Sequence, residues 1–267
     1  MAKAIWKGMI TFGLVTFPVK MYTAATDRVI EFKTLDKEGH PIKMKRWCPI
    51  CNREVSWDEV KKGYPIGRDK YIIIEKSDLE RIKLKTEKTI EIVEFVDYAE
   101  IDPIYIQKNY YLVPDKGGER AFSLFVEALR LTNKVAIGKV VLRNKEYLIA
   151  IRAYKKGLVL HILHYIDEIK NIEEFEEIKR IVPIREEELK LASLLIEKLS
   201  KKFDLSEFKD TYTEKLKELI KAKIEGREFK EKEEKKVEEA KSLMEALKKS
   251  VEEVEEKKKK KVEAKAS

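Results

Sequence analysis

The chain has 267 residues, of which 43% are hydrophobic and 40% are charged. This composition supplies enough apolar material for a sizeable core and more charge than an ordinary one-domain enzyme has. The two cysteines form one Cys-x-x-Cys pair, which excludes a disulfide scaffold and favours a reducing cytoplasm. A net charge of +8 favours a polyanionic partner, and the lysine-rich surface of a thermophile protein would give the same balance.

The N-terminal sequence predicts neither export nor membrane insertion. Lys3 and Lys7 interrupt it before any apolar run of useful length, and two glycines and Pro18 follow. No stretch approaches the roughly 20 apolar residues that a membrane-spanning helix needs. We therefore expect a cytoplasmic protein without a membrane partner.

The first half of the chain is predicted to form β-strands. Residues 14–22 have apolar side chains at every second position, the pattern of a half-buried strand. Pro18 lies in this segment and cannot donate a ladder hydrogen bond, so we expect the strand at an edge or a bulge. Similar patterns predict strands at 29–35, 41–47, 71–74, 89–96 and 109–113.

A helix and an antiparallel meander are predicted next. Residues 119–132 place apolar side chains on one helical face, with Gly117 and Gly118 before them. Three apolar runs then follow, joined by short turns, at 135–142, 146–154 and 157–166. Many strands and few helices in about 165 residues predict an α+β fold with a β-barrel core.

The periodicity becomes helical after Pro183. One helix is predicted from apolar residues between Leu189 and Phe203, and a second from a cap at Asp204 to a stop at Gly226. We therefore divide the chain into a core at 1–184, a helical arm at 185–226 and a charged tail at 227–267.

The tail contains one amphipathic segment at 237–254. Its apolar residues follow steps of three and four, and they are Val237, Ala240, Met244, Leu247, Val251 and Val254. This narrow apolar seam offers too little surface for a stable isolated helix. Two interpretations have equal weight: a marginal coiled-coil end, or a segment that folds into the groove of a partner.

Cys48 and Cys51 resemble half of a zinc site. A structural zinc ion needs four ligands, and the chain has no second Cys-x-x-Cys pair. His161 and His164 stand three apart on a predicted strand, so they point to opposite faces and cannot chelate together. We therefore predict no metal and no cofactor for the single chain. A zinc ion would require a dimer in which each chain supplies two sulfurs.

The sequence contains none of the common catalytic motifs for zinc proteases, phosphate-binding loops, dinucleotide sites or serine hydrolases. We therefore predict that the protein is not an enzyme. Basic residues on predicted strands and turns suit phosphate contact without base recognition, and a solubilising outer face is an equal alternative. The candidate DNA contacts are Lys7, Lys20, Lys43, Lys45, Arg46, Lys108, Arg143 and Lys145.

The block AIWKGMITFGLVTFPVKMY at 4–22 closely resembles the opening of prokaryotic Ku, the DNA-end-binding family of non-homologous end joining. The resemblance continues in order to residue 226. The later blocks are KRWCPIC at 45–51, VKKGY at 60–64, EIDPIY at 100–105, ALR at 128–130, HILHY at 161–165 and KFDL at 202–205.

The resemblance implies a homodimeric ring that threads onto the end of linear double-stranded DNA. Each chain would give a β-barrel cradle, a strand bridge over the DNA that contains Cys48 and Cys51, and a helical arm. It also implies that LMEAL at 243–247 recruits the ATP-dependent DNA ligase of end joining, with Leu243, Met244, Leu247 and Val251 as partner-binding residues. The implied location is the cytoplasm, associated with the nucleoid.

Two other function classes are compatible with parts of the sequence. A zinc-dependent transcriptional regulator would use residues 43–55 to bind a preferred DNA site, and it would need stoichiometric zinc. A metal-dependent nuclease would use acidic pairs such as Glu173–Glu174, but no His or Lys is expected to converge on them, and a solvated face is the favoured interpretation.

Overall fold

The computed structural model describes residues 3–81, 88–142, 145–180, 182–229 and 243–252. The chain forms two compact units, Met1–Asn171 and Ile172–Ser267. The domain boundaries predicted at 184 and 226 stay predictions. Within the described residues, no helix is both long and apolar enough to cross a membrane.

The first unit is built on a closed β-barrel, which confirms the predicted fold class. Around the barrel the strand order is β1-β2-β8-β11-β10-β9-β7, and every neighbouring pair is antiparallel except β1 with β7. These strands are β1 (Trp6–Phe12), β2 (Val15–Thr23), β7 (Thr89–Asp97), β8 (Ile106–Pro114), β9 (Lys134–Leu142), β10 (Lys145–Tyr154) and β11 (Gly157–Leu163).

Two small hairpins and a short helix lie between β2 and β7. The first hairpin pairs β3 (Trp47–Cys48) with β4 (Arg53–Glu54), and the second pairs β5 (Lys62–Gly67) with β6 (Lys70–Ile74). Helix α1 (Lys76–Arg81) follows. The hairpins are sheets separate from the barrel, and most of their side chains are exposed.

The barrel core comes from the alternation that the sequence predicts. Phe17, Val19 and Met21 of β2 are buried, whereas Lys20 and Tyr22 turn to the outer face. Helix α2 (Glu119–Thr132) adds Phe122, Phe125, Val126 and Leu129 to the same core. The ring of Phe125 stacks on Phe12 at 4.8 Å between centroids, so the helix and the barrel share one hydrophobic core.

A very close backbone approach joins β9 and β7 of the barrel. A Cβ added to Gly138 would lie 2.2 Å from the carbonyl oxygen of Glu91. No side chain fits at that distance, so glycine is required where these two strands meet.

The expectation that Pro18 lies at an edge or a bulge is wrong. Strand β2 pairs with β1 on one side and β8 on the other, and a closed barrel has no edge. Pairing with β8 begins only at Val19, opposite Pro114. The carbonyl of Pro18 accepts a hydrogen bond from the backbone N–H of Asp115 at 3.0 Å. Proline is tolerated because no ladder bond from its nitrogen is needed there.

Two predicted strands, 29–35 and 41–47, are also wrong. Within these two described segments, the structure has one bridge, between Leu35 and Pro41, and only Trp47 is in a strand. Phe32 is 70% exposed and Met44 102% exposed. Alternation produces a strand only where a partner strand and a buried face receive it, and these side chains have neither.

The second unit contains α3 (Glu186–Leu199) and α4 (Thr211–Ile224). The first helix ends before Phe203, and the second begins later than expected. Asp210 caps α4 through the backbone N–H of Thr213 at 2.9 Å, whereas Asp204 caps a separate short turn at Leu205–Glu207. Gly226 has a φ of +68°, which confirms the predicted stop.

Of the amphipathic segment, residues 243–252 are described, and they are helical. Leu243 is 64% exposed, Met244 and Leu247 are half-buried, and Val251 is 9% exposed. Val237, Ala240 and Val254 lie outside the described residues.

Candidate nucleic-acid interface

The cysteine pair lies in the turn of the β3–β4 hairpin. The backbone N–H of Cys51 donates to Cys48 Sγ at 3.4 Å, and Asn52 has a φ of +51°, which closes the turn. This N–H lowers the pKa of Cys48, because it stabilises the thiolate. The neighbouring Cys48 raises the pKa of Cys51. The two thiols therefore differ, and Cys48 has the lower pKa of the pair.

Potential metal ligands among the described residues do not converge on the two cysteines. Among the described residues, the one group of three or more potential ligands within reach of each other is Asp36, Glu38 and His40, all exposed. In the described part of the chain, the two sulfurs therefore have no third His, Cys, Asp or Glu ligand at chelating distance. The prediction that the single chain holds no metal stays a prediction.

The cations around the cysteine hairpin are partly neutralised. Lys45 Nζ lies 2.7 Å from Glu54 Oε2, and the guanidinium of Arg53 makes two hydrogen bonds to Glu59 at 2.8 and 3.0 Å. Arg53, with the N–H and hydroxyl of Ser56, lowers the pKa of Glu59 to about 2. The Lys45–Glu54 pair links the two sides of the hairpin, and the Arg53–Glu59 pair links the hairpin to the segment that follows it.

Arg46 lies on the ring of Trp57, with Cζ 3.2 Å from the ring centroid. Trp57 is 74% exposed and lines a cavity of about 720 Å³, together with Lys61, Lys62 and Lys76. Residues 42–46 are not a strand, so Lys43 and Lys45 do not lie on a strand as the sequence predicts. In this region the cations are brought together by the stacking of Arg46 on Trp57 and by the cavity that Trp57 shares with the three lysines.

Lys7 and Lys20 lie directly opposite each other on the outer face of β1 and β2. Lys20 Nζ is 2.6 Å from Asp115 Oδ1, just before α2. This contact raises the pKa of Lys20 and lowers the pKa of Asp115. The side chains of both partners are about three-quarters buried, so Lys20 ties β2 to the start of α2.

Lys108 and Lys145 complete the described candidates. Lys145 Nζ lies 3.1 Å from Glu168 Oε1, and Lys108 is exposed on β8. Arg143 lies outside the described residues. Lys20, Lys45 and Lys145 are hereafter the paired lysines. Lys7, Lys43 and Lys108, which have no carboxylate within 4 Å among the described residues, are the open lysines.

Comparison with known proteins identifies the fold family. The family model described as the Ku70/Ku80 β-barrel domain matches residues 11–191. The chain belongs to the Ku family. It is 46% identical over 253 residues to the non-homologous end joining protein Ku of Archaeoglobus fulgidus, which covers 94% of this chain and 99% of that protein.

Other Ku proteins are similar over most of this Ku chain. That of Heliobacterium modesticaldum is 38% identical, over 94% of this chain and 92% of its own length. That of Bacillus subtilis is 37% identical, over 84% of this chain and 73% of its own length. The resemblance stated from the sequence blocks is therefore confirmed.

The Ku β-barrel also contains a polar cluster that the sequence did not predict. On its outer face, Arg152 of β10 donates from Nε to His161 Nε2 at 3.1 Å, and His161 Nδ1 lies 2.6 Å from Asn109 Oδ1 of β8. His161 is only 4% exposed. Burial first, and the charge of Arg152 second, lower its pKa to about 4. Arg152 interrupts the apolar run of β10, and this charged residue is the sequence signal that could have indicated the cluster.

Proposed function

We propose that this protein binds the ends of linear double-stranded DNA without sequence specificity and acts as a non-catalytic scaffold in end-joining repair. The observation that supports this function is its membership of the Ku family, with relatives named as non-homologous end joining proteins at up to 46% identity over nearly full length. The net charge of +8 is consistent with a polyanionic partner.

Phosphate contact is proposed for the basic side chains rather than base recognition. The open lysines present exposed ammonium groups, which can neutralise phosphates and release counterions. The paired lysines would first have to leave a carboxylate partner, so their net gain on DNA is smaller. We therefore rank the open lysines ahead of the paired ones as DNA contacts.

A homodimeric ring is proposed as the binding form. Apolar side chains of the second unit are exposed in the single chain, and a two-fold partner would remove them from water. They are Leu189, Ile196, Leu199, Phe203, Phe208 and Tyr212. A closed ring loads only from a free end, so preference for ends follows from topology.

Recruitment of an ATP-dependent DNA ligase is proposed for residues 243–252. The helix exposes Leu243 next to the half-buried Met244 and Leu247, which suits docking in an apolar groove. Burial of these side chains contributes roughly 1.5–3 kcal/mol each before ordering costs, which is enough for modest affinity.

The test compares one DNA sequence as a linear duplex and as a covalently closed minicircle. We expect tight binding to the linear form and no stable complex on the circle, measured by gel shift with sedimentation to count protomers. Equal binding to both forms would exclude end recognition.

A second arm separates a ring from an open cleft. Both DNA ends are blocked with biotin and streptavidin, either before or after the protein is added. A ring stays trapped at high salt when the ends are blocked afterwards and cannot load when they are blocked first. Loss of protein from DNA blocked afterwards would contradict the ring while leaving end binding intact.

A further inference from the structure

A cavity of about 200 Å³ lies where the end of α2 meets β9 and β10. Its polar lining comes from Tyr98, Arg130, Asn133, Lys134 and Arg152. Asn133 ends α2 in a left-handed conformation, with a φ of +52°, and this turn brings the helix end against the first residue of β9. Three cations from three different elements therefore share one small cavity.

The charges of this cavity are not balanced. Arg130 donates to Glu127 and to the carbonyl of Lys155, and Lys134 Nζ lies 2.9 Å from Asp97 Oδ1. Arg152 has no carboxylate within 4 Å among the described residues, although it is half-buried. Partial burial of an unpaired guanidinium costs desolvation free energy. A bound anion would offset that cost, so the charge of this site favours one more negative group.

Arg152 is held in place from two sides. Its Cζ lies 5.3 Å from the ring centroid of Tyr98 and 5.4 Å from that of Tyr154. Tyr154 also stacks with Tyr111 at 6.0 Å and has the ammonium of Lys155 at 5.6 Å. These cation–π contacts favour the position of the guanidinium and keep a second cation, Lys155, near the same ring.

The buried histidine fixes the rotation of Arg152. The Nε of arginine can only donate, so His161 Nε2 must accept, and its proton is on Nδ1, which donates to Asn109 Oδ1. With Nε used in this way, the two Nη groups of Arg152 remain for the cavity. His161 and Asn109 are therefore positioning residues for this arginine.

We propose that this cavity binds a phosphate group, with Arg152 as the principal ligand and Lys134 and Arg130 as supporting cations. The two Nη groups of Arg152 make no hydrogen bond among the described residues, and a planar guanidinium of this kind suits two oxygens of one phosphate. The volume accommodates a phosphate or a small polyphosphate. The phosphate could belong to a DNA strand or to a free phosphate compound, and the two sources are separable.

The first arm measures binding of tripolyphosphate to the full chain by titration calorimetry. Arg152→Gln should weaken binding at least tenfold, and Lys134→Gln at least threefold. Arg120→Gln, an exposed residue of α2 that does not line the cavity, makes the same charge change and should leave binding within twofold. Circular dichroism and melting temperature establish that each variant is folded. Lys134→Gln and Arg152→Lys keep the test valid if Arg152→Gln is unstable.

The second arm identifies the source of the phosphate. If a DNA strand supplies it, Arg152→Gln lowers affinity for linear duplex and reduces the log–log salt slope by about 0.9, whereas Arg120→Gln does not. If a free compound supplies it, tripolyphosphate binding falls and DNA binding stays. The proposal is overturned if Arg152→Gln matches Arg120→Gln in both arms. End preference on linear and circular DNA is measured separately, so that result stands or falls independently.

A double-mutant cycle tests the positioning role. His161→Phe should weaken tripolyphosphate binding three- to tenfold when Arg152 is present and should add nothing to Arg152→Gln. If the two losses simply add, His161 has only a structural role and does not orient Arg152.

Discussion

The buried His161 gives a prediction that is specific in sign and size. Its pKa is lowered from the usual 6.5 to about 4, first because burial penalises the imidazolium and second because Arg152 is nearby. Above pH 6.5 the side chain is neutral in both the folded and unfolded states, and its contribution to stability is complete. Between pH 6.5 and 4 only the unfolded chain gains the proton, so stability falls as the pH falls.

The size follows from the same interval. At about 1.36 kcal/mol per pH unit, the fall from 6.5 to about 4 amounts to about 3 kcal/mol of unfolding free energy, and below pH 4 the loss stops growing. Protonation of carboxylates with a lowered pKa, such as Glu59 and Asp115, also reduces the free energy of unfolding as the pH falls, but at lower pH. Their effect is present in every variant and cancels when variants are compared.

The assay is urea unfolding between pH 7.5 and 4, followed by circular dichroism. We expect His161→Gln to lose about 3 kcal/mol less than the wild type over this range, whatever its stability at pH 7.5. His164→Gln removes a histidine outside the Asn109–His161–Arg152 cluster and sets the background for losing any histidine. Equal pH dependence in the His161 and His164 variants would refute the neutral buried imidazole.

Three further predictions concern the barrel, the DNA contacts and the tail. Gly138→Ala should destabilise the fold by about 1–3 kcal/mol in urea unfolding, because its Cβ meets a backbone carbonyl at 2.2 Å, whereas Gly67→Ala meets nothing within 4 Å and should be nearly neutral. Glutamine at the three open lysines should reduce the log–log salt slope of duplex binding by about 0.9 for each phosphate that is no longer neutralised. Glutamine at the paired lysines should reduce the slope less. A larger reduction from the paired lysines would contradict the ranking. Truncation after Gly226 should preserve end binding and abolish stimulation of the ligase, measured by ligation of linear duplex; full stimulation by the truncated protein would exclude the recruitment role.

Most of the barrel could be predicted from local periodicity, because burial of one face of each strand requires apolar side chains at alternate positions. Apart from β1, every barrel strand was expected within a few residues, and α2 was expected at its observed bounds. Strand β1 has apolar residues at the successive positions Met9 and Ile10, which interrupts its alternation. The other errors lie where burial imposes nothing. Residues 29–35 and 41–46 alternate in sequence but meet no partner strand. Asp204 and Asp210 both stand at sequences that can cap a helix, so only the structure distinguishes the turn from the helix start.

The contacts that decide the chemistry are long-range, and the sequence gives little access to them. Asp115 is 95 residues from Lys20, which it neutralises, and Asn109 is 52 residues from His161. His161 was considered only as a metal ligand beside His164, since two histidines close in sequence invite that interpretation. Its real partners stand on β8 and β10, and they become visible only once β11 is known to lie between those strands.

The ion pairs also explain why charge indicates the class of partner and not the contact residues. A net charge of +8 creates a field that attracts DNA whatever the local pairing, because the field sums over the whole surface. Affinity depends instead on what each cation contacts before it binds phosphate, because that contact must be given up. An open lysine exchanges water for phosphate, a paired lysine must also give up a carboxylate, and Arg152 is already oriented and lacks an anion among the described residues. The same charge in three surroundings should therefore contribute to phosphate binding in three different amounts, with Arg152 highest and the paired lysines lowest, whether the phosphate belongs to DNA or to a free compound.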